Sequence, residues 1–103
     1  MKSYDPTDTA ALDRSRTEQA DKEKRARRLE IEDLQQVMRT KAGRRHIWRL
    51  LEVTGVYRTS FASDPLQTAF NEGQRNIGLR TLSDCLSYAE PEYTLMLKEH
   101  RTK

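Results

Sequence analysis

The sequence is poor in the residues that build disulfides, metal sites and membrane spans. It contains one Cys, so it forms no internal disulfide, which favours a reducing compartment or a buried thiol. That Cys and the two His are too few for a structural zinc site, which needs about four such ligands. No apolar run approaches the roughly 20 residues of a membrane-spanning helix, and the first residues lack the apolar stretch of a signal peptide. We therefore expect no metal, no cofactor and no membrane span.

Hydrophobic residues are also scarce, at 35% of the chain, and they are unevenly distributed. Apart from alanine, only Met1, Tyr4 and Leu12 are hydrophobic among residues 1–28. Because such a segment has no apolar stripe to bury, we predict a charged N-terminal arm that is helical or partly disordered. Residues 29–103 are then predicted to be a small helical domain. Its core is small for an independent fold, so we expect a partner or self-association to complete it.

The rest of the composition favours helices. The chain is rich in Ala, Leu, Glu, Lys, Arg and Gln, and Gly and Pro are absent between Pro6 and Gly43. Thr7 or Asp8 is a suitable cap for a helix in the arm. Apolar residues recur at spacings of three and four, and no segment alternates as a strand does. The predicted fold class is all-α, with helices at about 30–41, 44–54, 65–89 and 91–101.

Glycine and proline mark the predicted helix ends. Gly43 separates the first two helices, Gly55 ends the second, and Pro65 begins the third. Gly73 and Gly78 lie inside the third helix, where each costs about 1 kcal/mol relative to Ala, so we expect close packing or a kink there. They are not a phosphate-binding loop, since no Lys-Ser or Lys-Thr follows them. All four glycines are therefore predicted to be architectural.

Positive charge is densest between residues 39 and 49, where no acidic residue intervenes. Clustered Lys and Arg attract phosphate whatever the nucleotide sequence, so one interpretation is a nucleic-acid contact. The other is a solvated helix face, or Arg side chains paired with acids such as Glu30, Glu32 and Asp33. The net charge of +3 permits DNA contact without requiring it. If the second and third helices pack together, the candidate phosphate contacts are Arg39, Lys41, Arg44, Arg45, Arg49, Arg75 and Arg80.

Aromatic residues make up only 7% of the chain, and core packing is their default role. We expect that role for Trp48 and Phe70. Aromatic side chains close to Arg are also suited to stacking on bases or on a protein partner. The candidate partner contacts are Trp48, Tyr57, Arg58 and Phe61.

One DNA-binding motif is suggested by the sequence and then fails. Thr54-Gly55-Val56 resembles the turn of a helix-turn-helix unit. A recognition helix that began near Tyr57 would meet Asp64-Pro65 within about two turns, and proline breaks a helix interior. The turn is better interpreted as an ordinary helix end.

Catalytic residues are not indicated either. The carboxylates Glu72 and Asp84 are scattered, and no pattern pairs them as acid and base. Ser60, Ser63 and Ser83 lack the flanking residues of a nucleophile elbow. We therefore expect a protein that is not an enzyme.

Three segments, taken in order, resemble a known family. They are GRRHIWRLLE at 43–52, GVYRTSF at 55–61 and TAFNEGQRNIG at 68–78. Together they are similar to a family of small tailed-phage proteins of the Bordetella tropism-switching phage type. The resemblance covers about residues 34–98 and leaves the charged arm outside it. Members are typically encoded among the head and portal genes of short-tailed phages.

The resemblance implies a structural role in a virus particle. It points to a virion or assembly component near the portal, the internal core or the packaged DNA, involved in DNA ejection or packaging. Phage structural proteins of the portal, core or tail are the implied partners, in a symmetric assembly with several copies, and DNA is a further candidate. The implied location is the virion, or the host cytoplasm during assembly. The alternative is an intracellular phage-encoded module that binds DNA or a host protein.

Overall fold

The structure, a computed structural model, describes residues 8–101, and within that range it contains helices and no strand. The predicted all-α class is confirmed. The four helices are α1 (Thr9–Arg39), α2 (Lys41–Val53), α3 (Pro65–Tyr88) and α4 (Glu90–Glu99). Backbone contacts divide the chain into two units, Met1–Glu30 and Ile31–Lys103.

The first unit is helical from Thr9 onward, so the first helix begins about 20 residues earlier than the predicted start near Glu30. Asp8 caps it, since its carboxylate accepts a hydrogen bond from the Ala11 amide at 3.0 Å. Thr7, the other predicted cap, lies outside the described residues. Residues 13–30 are all exposed, and Arg27 and Glu30 form an ion pair at 3.0 Å. Strong helix formers without Gly or Pro account for the helix over residues 9–30, none of which is buried.

The boundary between α1 and α2 lies at Thr40, not at Gly43 as predicted. Thr40 has an extended backbone, with φ −100° and ψ 147°, and its hydroxyl accepts a hydrogen bond from the Gly43 amide at 2.9 Å. Threonine is a favoured N-cap because its side chain satisfies an amide that has no partner within the helix. Gly43 therefore lies in the first turn of α2. A side chain there would collide with the carbonyl oxygen of Val37.

Capping residues also fix the ends of α3. Its N-cap is Asp64, whose carboxylate accepts a hydrogen bond from the Leu66 amide at 3.1 Å, and Pro65 follows at the first helical position. At the other end, Ala89 is both the C-cap of α3 and the N-cap of α4. The Ala89 amide donates to the Cys85 carbonyl at 2.9 Å, and the Ala89 carbonyl accepts from the Tyr93 amide at 2.9 Å. The predicted third helix at 65–89 thus matches α3 closely.

The core lies in the second unit, where α2, α3 and α4 contact one another. The largest fully buried side chains are Met38 from the end of α1, Leu51 from α2, Cys85 from α3 and Met96 from α4. Partly buried hydrophobic residues surround this centre. The buried hydrophobic residues are Met38, Ile47, Leu51, Val56, Cys85, Ala89, Tyr93 and Met96.

Candidate functional site

Three of the predicted phosphate contacts form an exposed basic strip along α2. Lys41, Arg45 and Arg49 are exposed, and their spacing of four residues places them one turn apart on the same face. A different face of the helix carries the buried residues Ile47 and Leu51. We call the three residues the basic strip. Positive charge on such a strip attracts phosphate without reading base sequence.

Arg44 is buried, in contrast to the residues of the basic strip. Its Nε and Nη2 donate to the two carboxylate oxygens of Glu99, at 2.8 and 3.0 Å. Its Nη1 donates to the carbonyl oxygens of Met38 and Arg39, at 3.0 and 3.1 Å. These bonds use four of the five N–H donors of a guanidinium. The prediction that Arg44 contacts nucleic acid is therefore corrected: the side chain is occupied inside the fold.

The Arg44–Glu99 ion pair shifts the pKa of both side chains. The hydrogen bond to Glu99 raises the pKa of Arg44, and the same bond lowers the pKa of Glu99 although desolvation opposes that shift. The pair joins α4 to the C-terminal end of α1, whose last carbonyls have no helical partner. A sequence signal for its burial exists, since Arg44 lies three and seven residues before the core residues Ile47 and Leu51.

The remaining basic candidates lie elsewhere. Arg39, at the end of α1, and Arg80, on α3, are exposed. Arg75 is partly buried, and its Nε has no hydrogen-bond partner among the described residues. Arg75 and Arg58 line the same cleft, which has a volume of about 120 Å³. Arg75, a predicted phosphate contact, and Arg58, a predicted partner contact, therefore line one cleft.

Trp48 and Tyr57, two of the predicted partner contacts, belong to an aromatic cluster. Trp48 stacks on His100, with ring centroids 4.7 Å apart, and lies 5.7 Å from Tyr57. The hydroxyls of Tyr57 and Tyr93 are 2.7 Å apart. Burial and this hydrogen bond raise the pKa of Tyr57. His100 and Tyr93 were not among the predicted partner contacts, because only tertiary packing brings His100 to Trp48 and Tyr93 to Tyr57.

The predicted partner contacts occupy two places on the surface. Trp48, Tyr57 and Arg58 line one shallow depression. Arg58 Nη2 also donates to the carbonyl of Glu52 at 2.8 Å, which orients the guanidinium toward the C-terminal end of α2. Phe61 lines a different depression, at the start of α3.

A strip of apolar side chains on α3 is exposed, although the sequence predicts that Phe70 lies in the core. Leu66, Phe70 and Ile77 are 81%, 60% and 60% exposed, and Phe61 before the helix is 78% exposed. The predicted core position of Phe70 is therefore wrong. We call Phe61, Leu66, Phe70 and Ile77 the α3 apolar strip. Gly73 lies at the same helical face, and a side chain there would meet no other atom.

Two other glycines have close neighbours or a special backbone. Gly78 is buried, and a side chain at this position would collide with Thr54 and Val56. Gly55 has a φ of 78°, the left-handed region that favours glycine, and follows the C-cap of α2. Both positions therefore determine how closely the connector between the helices, residues 54–64, approaches α2 and α3.

Few groups of the second unit are suited to covalent or metal chemistry. Burial, with a smaller contribution from Asp84, raises the pKa of the Cys85 thiol to about 11, so it is protonated at neutral pH. Within residues 8–101, no group of three or more His, Cys, Asp or Glu side chains could hold a metal ion. None of the helices in that range is long and apolar enough to cross a bilayer.

The comparison with known families identifies the chain. The family model of Bbp19-like phage proteins matches residues 34–98, which is the range of the predicted resemblance. The small all-α domain is therefore that of a bacteriophage protein. Because the match covers more than half of the sequence, the chain belongs to the Bbp19-like phage protein family. No curated protein and no solved structure matches it.

Proposed function

We propose that this chain is a non-enzymatic structural or interaction protein of a short-tailed phage. It acts in the virion or during its assembly, near the portal, the internal core or the packaged DNA, and it resides in the host cytoplasm until it is incorporated. Membership of a phage protein family supports this proposal. The observation that carries it is the α3 apolar strip, an apolar surface on a domain with a small core.

The α3 apolar strip is suited to contact with another protein. Exposed apolar side chains that lie together on one helix face favour protein–protein interaction, because covering them removes apolar surface from water. Leu66, Phe70 and Ile77 lie about one or two turns apart along the helix. The proposed partners are portal, core or tail proteins, and several copies of the chain would bind around a symmetric ring.

Mass spectrometry of purified virions tests this proposal. Peptides of the chain are expected in particles, at a copy number that matches the symmetry of the portal or core. Particles that lack the chain, from a lysate in which it is abundant, would contradict the virion role.

A surface variant tests the role of the α3 apolar strip. Phe70→Ser is expected to reduce the number of copies per particle, because it removes apolar surface that a partner covers. Leu95→Ser is the matched control, since Leu95 is an exposed apolar residue on α4. The free energy of unfolding of both variants should lie within about 0.5 kcal/mol of that of the natural protein, as is usual for substitutions at exposed positions. Equal incorporation of the two variants would contradict the role of the strip.

The basic strip supports a second candidate function, an intracellular module that binds DNA. Exposed Lys41, Arg45 and Arg49 on one helix face are the observation in its favour. A salt titration of DNA binding tests it. Replacing the three residues with Gln should make the negative slope of log affinity against log salt concentration shallower, by about 0.9 per lost phosphate contact. The control replaces Arg14, Arg16 and Arg25 of α1, and an equal effect of both triple variants would contradict a site on α2.

A further inference from the structure

We propose that the cleft lined by Arg58 and Arg75 binds a single phosphate-type oxyanion. It lies between the C-terminal end of α2, the connector after it and α3. The proposal is independent of the virion role, because a particle component needs no anion in this cleft and an anion-binding protein needs no particle.

The unpartnered Nε of Arg75 is the first observation. This N–H is buried, and no described residue accepts a hydrogen bond from it. Buried donors almost always have a partner, because a donor removed from water without a partner destabilises the fold. Arg75 also lines the cleft, so an acceptor bound there lies beside the guanidinium that carries this donor.

The charge of the cleft is the second observation. Its lining contains the two Arg side chains and no Asp or Glu. The exposed side chain of Arg58 is oriented by a hydrogen bond from its Nη2 to the Glu52 carbonyl at 2.8 Å. Two guanidinium groups that line one partly open cleft attract an anion. The nearby carboxylate of Glu72, which is not in the lining, accepts a hydrogen bond from the hydroxyl of Ser60 at 3.3 Å.

The size and donor arrangement of the cleft favour phosphate over a carboxylate. Its volume is about 120 Å³, which suits one small anion better than a nucleotide base with its sugar. The polar side chains come from two segments of the chain, with Thr59 and Ser60 on the connector and Asn71 and Gln74 on α3. Ser60 Oγ donates to Glu72 at 3.3 Å and Asn71 Nδ2 donates to the Ser60 carbonyl at 3.2 Å, so the main donors for an anion are the two guanidinium groups, Thr59 and Gln74. Donors on different sides match the four oxygens of a tetrahedral anion better than the two oxygens of a planar one.

Nuclear magnetic resonance of the full chain tests the proposal directly. Inorganic phosphate is titrated at constant ionic strength, and the Nε–Hε signal of Arg75 is followed together with the amide signals of Gly55 and Ser60. A saturable shift of these signals is expected, while the Nε–Hε signal of Arg49 stays unchanged. A shift that does not saturate, or an equal shift at Arg49, shows only general ionic effects and overturns the proposal.

Variants on α3 separate the cleft from general charge. Arg75→Gln should weaken phosphate binding at least about tenfold, the expected result of losing charge-assisted hydrogen bonds. The matched control is Arg80→Gln, which removes the same charge from an exposed position on the same helix. Equal weakening by the two variants, or none by Arg75→Gln, overturns the proposal.

A stability measurement distinguishes a binding residue from a structural one. Arg75→Met keeps the apolar stem and removes the unpartnered donor, so in phosphate-free buffer its melting temperature should equal or exceed that of the natural protein. Added phosphate should raise the melting temperature of the natural protein and not that of the variant. A lower melting temperature of Arg75→Met in phosphate-free buffer assigns Arg75 a structural role and overturns the proposal.

Two further titrations identify the source of the anion. Short duplex DNA that shifts the same signals, and is displaced by inorganic phosphate, supports a backbone phosphate as the ligand. A response to inorganic phosphate alone supports a free phosphate ion. A Glu-rich peptide that shifts these signals at lower concentration than phosphate assigns the cleft to the carboxylate of a protein partner, and it overturns the phosphate assignment.

Discussion

Arg44 and Glu99 are 55 residues apart in the sequence and form a two-bond ion pair, with distances of 2.8 and 3.0 Å. The pair connects the first turn of α2 to the last residue of α4. Because Arg44 also donates to the carbonyls of Met38 and Arg39, one side chain connects three helices. An Arg from a basic run that suggested nucleic-acid contact thus stabilises the domain instead.

The first prediction concerns pH. Arg44 lowers the pKa of Glu99 below its ordinary value of 4.5, so the folded state holds this proton less tightly than the unfolded chain does. The contribution of Glu99 to stability is therefore full above pH 4.5 and is lost as the pH falls through the lower pKa of the folded state. In urea unfolding between pH 2 and 7, Glu99→Gln should reduce this acid dependence. Glu18→Gln on the exposed face of α1 is the control. If the free energy of unfolding depends equally on pH in both variants, Glu99 is not the source of the acid dependence.

The second prediction compares two glycines of α3. Gly78→Ala should destabilise the protein by about 1–3 kcal/mol, because its methyl group collides with Thr54 and Val56. Gly73→Ala meets no other atom, so it should stabilise the isolated chain by up to about 1 kcal/mol through better helix propensity. Urea unfolding of both variants measures the difference. Equal effects of the same sign would show that the connector does not pack closely on α3 at Gly78.

The third prediction concerns the start of α2. Thr40→Ala removes the hydroxyl that caps the Gly43 amide, so it should destabilise the protein by about 0.5–2 kcal/mol. Thr40→Ser keeps the hydroxyl and serves as the control. Thermal unfolding of the two variants is the measurement, and an unaffected Ala variant would show that the helix boundary is not at Thr40.

The fourth prediction concerns the thiol. Cys85 is buried and its pKa is raised to about 11, so few thiolates are present at pH 8. A thiol reagent should therefore modify the folded protein much more slowly than the urea-unfolded chain. Cys85→Ser should destabilise the fold, since it buries a hydroxyl among apolar side chains. Rapid labelling of the folded protein would show that the core opens readily around α3.

Several features of the fold are predictable from local sequence. Asp64 and Pro65 give the start of α3, since an N-cap followed by proline is a local arrangement with its own hydrogen bond. The α3 end at Tyr88 is close to the end predicted from Pro91, which lacks the N–H that would continue the helix and whose ring clashes with the carbonyl four residues earlier. The first unit was predicted to be either helical or partly disordered. Its residues favour a helix, but it has no buried face that would stabilise the helix over disorder.

The candidate site was less predictable. Helical spacing showed that Leu66, Phe70 and Ile77 share a face, but it could not show whether that face is covered. The cleft joins Arg58 of the connector to Arg75 of α3, and nothing in the spacing of 17 residues places the two side chains together. Contacts across a loop depend on the path of that loop, which local propensity does not determine.

The sequence by itself determined the helical class, the start of α3 and membership of a phage protein family. These depend on residue propensity, caps and residue order, which act over a few neighbouring positions. Tertiary structure decided that Arg44 is buried against Glu99 and that Phe70 is exposed. Both outcomes depend on which helix faces meet, and apolar or charged character alone does not select a partner far away in the chain.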